Sequence, residues 1–192
     1  MEQIRSFIAI ELSGALKQAL ASLQDRLKEG SRTPVRWVAP NSIHLTLKFL
    51  GNIDAGVTGD IVDVLKAAAS GVPTFQIELS GLGVFPNPRR VQVVWVGMTG
   101  EVERLDRLQR NIEAGLKPLG FAAESRPFRP HLTLGRVRDQ AGPEEREDLG
   151  RLITNMTFDS GSKLAVQSVN LMKSQLTREG PVYSRIGAVE LK

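Results

Sequence analysis

The sequence predicts an α+β fold, and three observations carry that expectation. Strand-like and helix-like segments alternate along the 192 residues. Many neighbouring strands read as hairpin-linked rather than crossover-linked, which argues against a doubly wound parallel sheet. No Pro/Gly/Ser-rich linker divides the chain, so residues 1–192 are expected to form one domain, at a length that also suits one domain built from two similar lobes.

Each element has its own signal. Residues 5–12 (RSFIAIEL) are apolar and β-branched, which predicts a first strand. Ser13 is placed to cap a helix running to about residue 29, with Leu16, Leu20, Leu23 and Leu27 at helical spacing and Gly30 to end it. Residues 35–38 form a short strand, Pro40 and Asn41 turn the chain, and 43–50 continues as a strand. Residues 59–70 read as a helix, and 75–79 and 91–98 as strands around a Gly/Pro-rich segment at 81–90. Residues 101–116 are helical, with Leu105, Leu108, Ile112 and Leu116 on one face. Pro127 and Pro130 bracket an extended approach to a strand at 131–137, and Pro143 sits in the first turn of a helix to residue 155. Residues 164–172 and 182–191 read as an antiparallel strand pair.

Composition narrows the function classes. The hydrophobic fraction is 41% and the charged fraction 24%, as in soluble globular proteins. The net charge of +4 favours anionic partners only weakly. The absence of cysteine excludes disulfides, thiolate metal sites and cysteine nucleophiles. The first residues lack a signal-peptide pattern and no apolar run is long enough to span a bilayer, so a cytoplasmic location is expected.

The chain holds two histidines, and both open the same tetrad: His44-Leu45-Thr46-Leu47 and His131-Leu132-Thr133-Leu134. Chance repetition at this chain's Leu and Thr frequencies is roughly one in a thousand, so an internal duplication is the better explanation. Strand periodicity puts His44, Thr46 and Lys48 on one face and Leu45, Leu47 and Phe49 on the other, toward a core. His131 and Thr133 likewise share a face opposite Leu132 and Leu134. A lone strand histidine is more often structural or merely exposed. Two copies of the tetrad holding every histidine in the chain are hard to explain by packing, which needs the leucines but not the histidine and threonine.

Two imidazoles and two hydroxyls around one point suit phosphodiester chemistry. A neutral histidine can take a proton from the attacking oxygen while a charged one gives a proton to the departing oxygen. The threonine hydroxyls can donate to non-bridging phosphate oxygens. Zinc is the other common use of paired histidines, but it usually needs three protein ligands or more, and neither tetrad holds a further histidine, cysteine or acid. No metal and no cofactor are expected.

The paired tetrads resemble those of the 2H phosphoesterase superfamily, and within it the RNA 2′,3′-cyclic phosphodiesterases, also called 2′-5′ RNA ligases. The resemblance extends over residues 5–10, 35–38, 44–51 (HLTLKFLG), 83–90 (GVFPNPRR), 126–136 (RPFRPHLTLGR) and 174–183. It implies a bilobal duplicated fold whose antiparallel sheets line a central cleft, with helices packed outside. It implies hydrolysis of an RNA terminal cyclic phosphate to a 2′-phosphate, with reversible 2′-5′ ligation by the same groups. By that analogy His44 is the proton donor, His131 the proton acceptor, and Thr46 and Thr133 hold the phosphate. The residues alone do not assign the two proton roles.

Several cations accompany the tetrads. Arg126, Arg129 and Arg136 flank the second, Lys48 lies beside the first, and Arg89 and Arg90 follow the Pro86-Asn87-Pro88 turn. Surface arginines are commonly just solvated; Arg129, nearest the site in sequence, is the expected substrate-binding one. Phe128 and Tyr183 are candidates to stack on a base, with core packing the better expectation for Phe128. The expected partner is RNA ending in a 2′,3′-cyclic phosphate, tRNA fragments included, acted on by a monomer that needs no membrane. Two alternatives stand beside this: a phosphodiesterase for a small cyclic nucleotide or an ADP-ribose cyclic phosphate, and an RNA-binding module without turnover.

Overall fold

The computed structural model describes residues 2–178 and 180–192, without the side chains of residues 159 and 160. Among the described residues the order is β1 (Gln3–Glu11), α1 (Gly14–Gly30), β2 (Val35–Trp37), β3 (His44–Asp54), α2 (Thr58–Ala69), β4 (Phe75–Phe85), β5 (Val93–Gly100), α3 (Val102–Leu116), β6 (Leu132–Val137), α4 (Pro143–Asn155), β7 (Asp159–Val166), β8 (Ser168–Thr177) and β9 (Gly180–Glu190). The strands form two sheets, ordered β3-β1-β8-β9 and β2-β6-β5-β4-β7. Every ladder is antiparallel, as the hairpin-like spacing predicts.

The helices form where the sequence places them, each within one residue at both ends. In α1 the Ser13 hydroxyl accepts from the Leu16 amide, and the four predicted leucines are buried. In α3 Leu105, Leu108, Ile112 and Leu116 are all fully buried. α2 and α3 lie together against the first sheet, touching β3, β8 and β9. α1 and α4 lie against the second, touching β7 and β4. One continuous apolar core therefore joins both sheets to all four helices.

Three expectations about strands need correction. Residues 164–172 are not one strand: β7 ends at Val166 and pairs with β4, whereas β8 begins at Ser168 and pairs with β1 and β9. Gln167 and Ser168 stand at the break, and the buried apolar positions shift phase across it, from Leu164 and Val166 to Val169 and Leu171. The Gly/Pro-rich segment is strand as far as Phe85. Its Gly83 lies under the Trp95 ring, where a Cβ would approach to 2.1 Å, so the glycine permits a close contact rather than a turn.

The third correction bears on the site. β3 carries a β-bulge at Leu47: Ala9 pairs with Thr46 and Ile8 with Lys48, leaving Leu47 extra. An extra residue reverses the alternation beyond it. Lys48 therefore turns away from the His44 face and is buried, its ammonium donating to Glu113 of α3 at 3.0 Å and to the Ala122 carbonyl at 2.7 Å. Phe49, expected in the core, is 66% exposed on the histidine side. β6 repeats the device at the same place in its tetrad: Trp95 pairs with Thr133 and Val94 with Gly135, leaving Leu134 extra.

Candidate active site

Each tetrad lies on, or at the start of, a strand paired with an inner strand of its own sheet. His44 faces Glu11 across β3–β1, and Thr46 faces Ala9. His131 immediately precedes β6, and Thr133 faces Trp95 of β5. The leucines point inward, all four fully or almost fully buried, which holds the polar face in place. The expected partition of each tetrad is thus what the structure shows.

Both imidazoles are held by the same local contact. His44 Nδ1 lies 2.8 Å from the Ser42 carbonyl oxygen, and His131 Nδ1 lies 2.6 Å from the Arg129 carbonyl oxygen. A carbonyl only accepts, so Nδ1 carries the proton in each ring. Nε2 is left in both as the nitrogen that takes or gives a proton. The proline-led turn at Pro40–Ser42 presents the first carbonyl; the extended segment around Pro130 presents the second. Arg129 thereby contributes through its backbone, and its side chain is exposed.

The ring environments differ. Phe7 stacks on His44 with centroids 4.7 Å apart and planes at 29°, and Tyr183 meets His44 edge-on at 5.0 Å. Phe85 meets His131 edge-on at 5.1 Å, with Trp95 at 6.2 Å. Burial pushes the His44 pKa below its ordinary value, and the Lys17 charge adds to this; the Ser42 carbonyl and the Glu11 carboxylate pull the other way. Burial also raises the Tyr183 phenol, against the opposing charges of Arg136 and Arg5. Arg136 belongs to the second sheet and Tyr183 to the first, so the two faces lie within electrostatic reach.

A pocket of about 290 Å³ opens beside His44, lined by Arg5, Ser6, Phe7, Phe49, Asn52, Ser174 and Tyr183. The buried Ser6 hydroxyl has no hydrogen-bond partner among the described residues. Beyond the β6 bulge, Arg136 returns to the His131 side, since it pairs with Val93, two residues from Trp95 on the same face. Lys48, expected beside His44, is excluded from the site. Phe128 packs on the core as expected, whereas Tyr183 stands against His44. Sequence reasoning missed Phe7, Phe85 and Trp95 as ring walls. Their only signal is the register that sets β1, β4 and β5 beside the tetrads.

Among the described residues no helix is long and apolar enough to cross a membrane. Comparison with known proteins then places the chain. The family model described as LigT-like phosphoesterase matches twice in tandem, over residues 10–95 and 96–183. An RNA 2′,3′-cyclic phosphodiesterase of Methanothermobacter thermautotrophicus is 36% identical, over 95% of this chain and 96% of its own. One from Aeropyrum pernix is 35% identical, over 89% and 94%. The crystal structure of E. coli LigT in apo form superposes with a TM-score of 0.77 at 26% identity, covering 99% of this chain and 98% of that one. With two tetrads on matching bulged strands and a tandem family match across most of its length, the chain belongs to the LigT-like phosphoesterases of the 2H superfamily.

Proposed function

We propose that this protein hydrolyses the 2′,3′-cyclic phosphate at an RNA end to a 2′-phosphate by two-histidine acid–base catalysis. The observation that carries the reading is the identical anchoring of two histidines through Nδ1, which leaves Nε2 of each ring for proton transfer in the proposed reaction. The names and near-complete coverage of the relatives supply the substrate class. The paired bulges and the tandem family match support one domain, 1–192, of two pseudo-symmetric lobes.

In the proposed reaction His131 Nε2 removes a proton from water as its oxygen bonds to phosphorus. The bond from phosphorus to the 3′ oxygen breaks, and His44 Nε2 protonates that oxygen. The Thr46 and Thr133 hydroxyls donate to the non-bridging oxygens, and Arg136 adds a cation on the His131 side. The lowered pKa of His44 works against its resting protonation. The phosphate anion bound beside it restores the charge, so His44 becomes an acid when substrate arrives. A 5′-hydroxyl in place of water would form a 2′-5′ linkage by the same proton transfers. The groups assigned to the chemistry include no metal ligand set, and the reaction is expected to run in chelator.

The test is incubation of a short RNA ending in a 2′,3′-cyclic phosphate with the protein in EDTA, followed by identification of the end group. Conversion to a 2′-phosphate supports the reading. A 3′-phosphate product, or loss of activity in EDTA restored by a divalent ion, overturns the mechanism.

A further inference from the structure

At the C-terminal end of β6 a second cavity, of about 570 Å³, is walled by Arg36, Arg89, Arg90, Arg136 and Arg146, with Asp139 as its one acidic wall. Arg36 and Arg136 are direct partners across the antiparallel β2–β6 ladder. Like charges set opposite each other on neighbouring strands destabilise the pairing. Among the described residues none of Arg36, Arg89, Arg90 or Arg136 forms a salt bridge with a carboxylate. Among the described residues Asp139 is the one carboxylate on the cavity wall, against five arginines.

The cavity is nonetheless built on stiff supports. Arg146 is committed to structure: its guanidinium donates to the carbonyls of Ala141, Val91 and Arg138 at 3.1, 2.7 and 3.0 Å. These bonds tie α4 to the turn after β6 and to the approach to β5. The turn displaying Arg89 and Arg90 is held by Asn87, whose side-chain oxygen accepts from the Arg89 amide and whose carbonyl accepts from the Arg90 amide, both at 3.1 Å. That turn sits so close on α4 that a Cβ on Gly150 would lie 1.9 Å from the Pro88 oxygen. Four guanidiniums without carboxylate partners on fixed backbone suit an anion, and more than one phosphate is needed to engage them all.

Arg136 links this cavity to the catalytic face. It lies three residues beyond Thr133 on β6, about 10 Å along an extended strand. We propose that the cavity holds backbone phosphates of the RNA strand on the 5′ side of the cyclic end, so that the protein prefers an RNA terminus to a free cyclic nucleotide. This rests on the reading above and adds to it a determinant of substrate length.

The experiment compares wild type with the triple variant R36Q/R89Q/R90Q, which leaves the tetrads and Arg136 intact. One arm measures kcat/KM on 2′,3′-cyclic AMP and on a heptanucleotide ending in a 2′,3′-cyclic phosphate. The other measures binding of a heptanucleotide ending in a 2′-phosphate against salt, which needs no turnover. The expected result is a drop of about tenfold or more on the heptanucleotide, with cyclic AMP unchanged within about twofold. The salt slope of binding should fall by about 0.7 for each arginine that contacts a phosphate. Equal losses on both substrates, or no loss on either together with an unchanged salt slope, would overturn the proposal. If wild type turns over neither substrate while the salt slope still falls in the variant, the phosphodiesterase reading fails and the strand site stands.

Discussion

The two tetrad strands use one backbone device and set it in two chemical surroundings. In both, the histidine gives Nδ1–H to the carbonyl two residues back, the leucines point inward, and the last leucine is a bulge. The residues beyond the bulge differ. After Leu47 come a buried Lys48 and an exposed Phe49; after Leu134 come a buried Gly135 and an exposed Arg136. The first histidine is stacked on Phe7 and met edge-on by Tyr183, and burial lowers its pKa; the second is flanked by Phe85 and Trp95 and also has the Arg136 cation on its side of the sheet. The repeated framework thus carries different neighbours at its two histidines, and the proposed division into acid and base rests on that difference.

That comparison breaks most severely at the imidazoles. His44→Ala and His131→Ala should each lower kcat/KM by about 10²–10⁴, with unchanged circular dichroism, because each removes one proton transfer. Next comes the residue pair that differs between the strands. Arg136→Gln should cost about 10²-fold in kcat, whereas Phe49→Ala should leave kcat within about threefold and act on stability or KM. Equal effects of the two would show that the positions beyond the bulges do not differ in role.

The buried supports come third. Lys48 is almost fully buried against Glu113, so Lys48→Ala strands a carboxylate that is itself largely covered. Loss of about 3 kcal/mol is expected in denaturant unfolding. The second strand is held differently: buried Gln24 of α1 donates to the Val38 carbonyl at 2.8 Å and to the Leu134 carbonyl, at the bulge itself, at 2.9 Å. Gln24→Met should cost about 2 kcal/mol by removing that donor.

The smallest effect sharpens the comparison through pH. A histidine with a lowered folded pKa binds fewer protons folded than unfolded near its ordinary titration, so its contribution to stability falls as pH drops through about 6.5. As the acid in catalysis, His44 should give kcat/KM an alkaline limb that begins below the ordinary histidine value. In the complex with anionic substrate the limb of kcat should lie higher. Phe7→Ala admits water to the ring and should move the limb of kcat/KM upward, with the same shift in the His44 resonance on NMR titration.

Much of the fold and the site was legible in the sequence because it is local. The helix ends follow from caps, prolines and leucine spacing, and the partition of each tetrad follows from strand alternation. The alternation failed at Lys48 and Phe49 because a bulge is a property of strand pairing. Nothing in HLTLKFLG says that Ile8 will pair with Lys48 rather than Leu47. The change of sheet at Gln167 was legible in part: the buried apolar positions shift phase there, from Leu164 and Val166 to Val169 and Leu171, but the partners of β7 and β8 are set by strand pairing. Phe7, Trp95 and Arg36 reach their places through register, which sets residues tens of positions apart side by side. The extra bonds of Gln24 and Arg146 to distant carbonyls are invisible for that reason too.

The most direct test of the two-role account replaces the 3′ bridging oxygen of the cyclic phosphate with sulfur, which departs without needing a proton. Turnover of this substrate and its oxygen counterpart would be compared for wild type, His44→Ala and His131→Ala. The account predicts that sulfur restores His44→Ala close to the wild-type rate and leaves His131→Ala impaired. Rescue of His131→Ala instead would reverse the two roles, and rescue of neither would contradict proton donation to the leaving oxygen by His44.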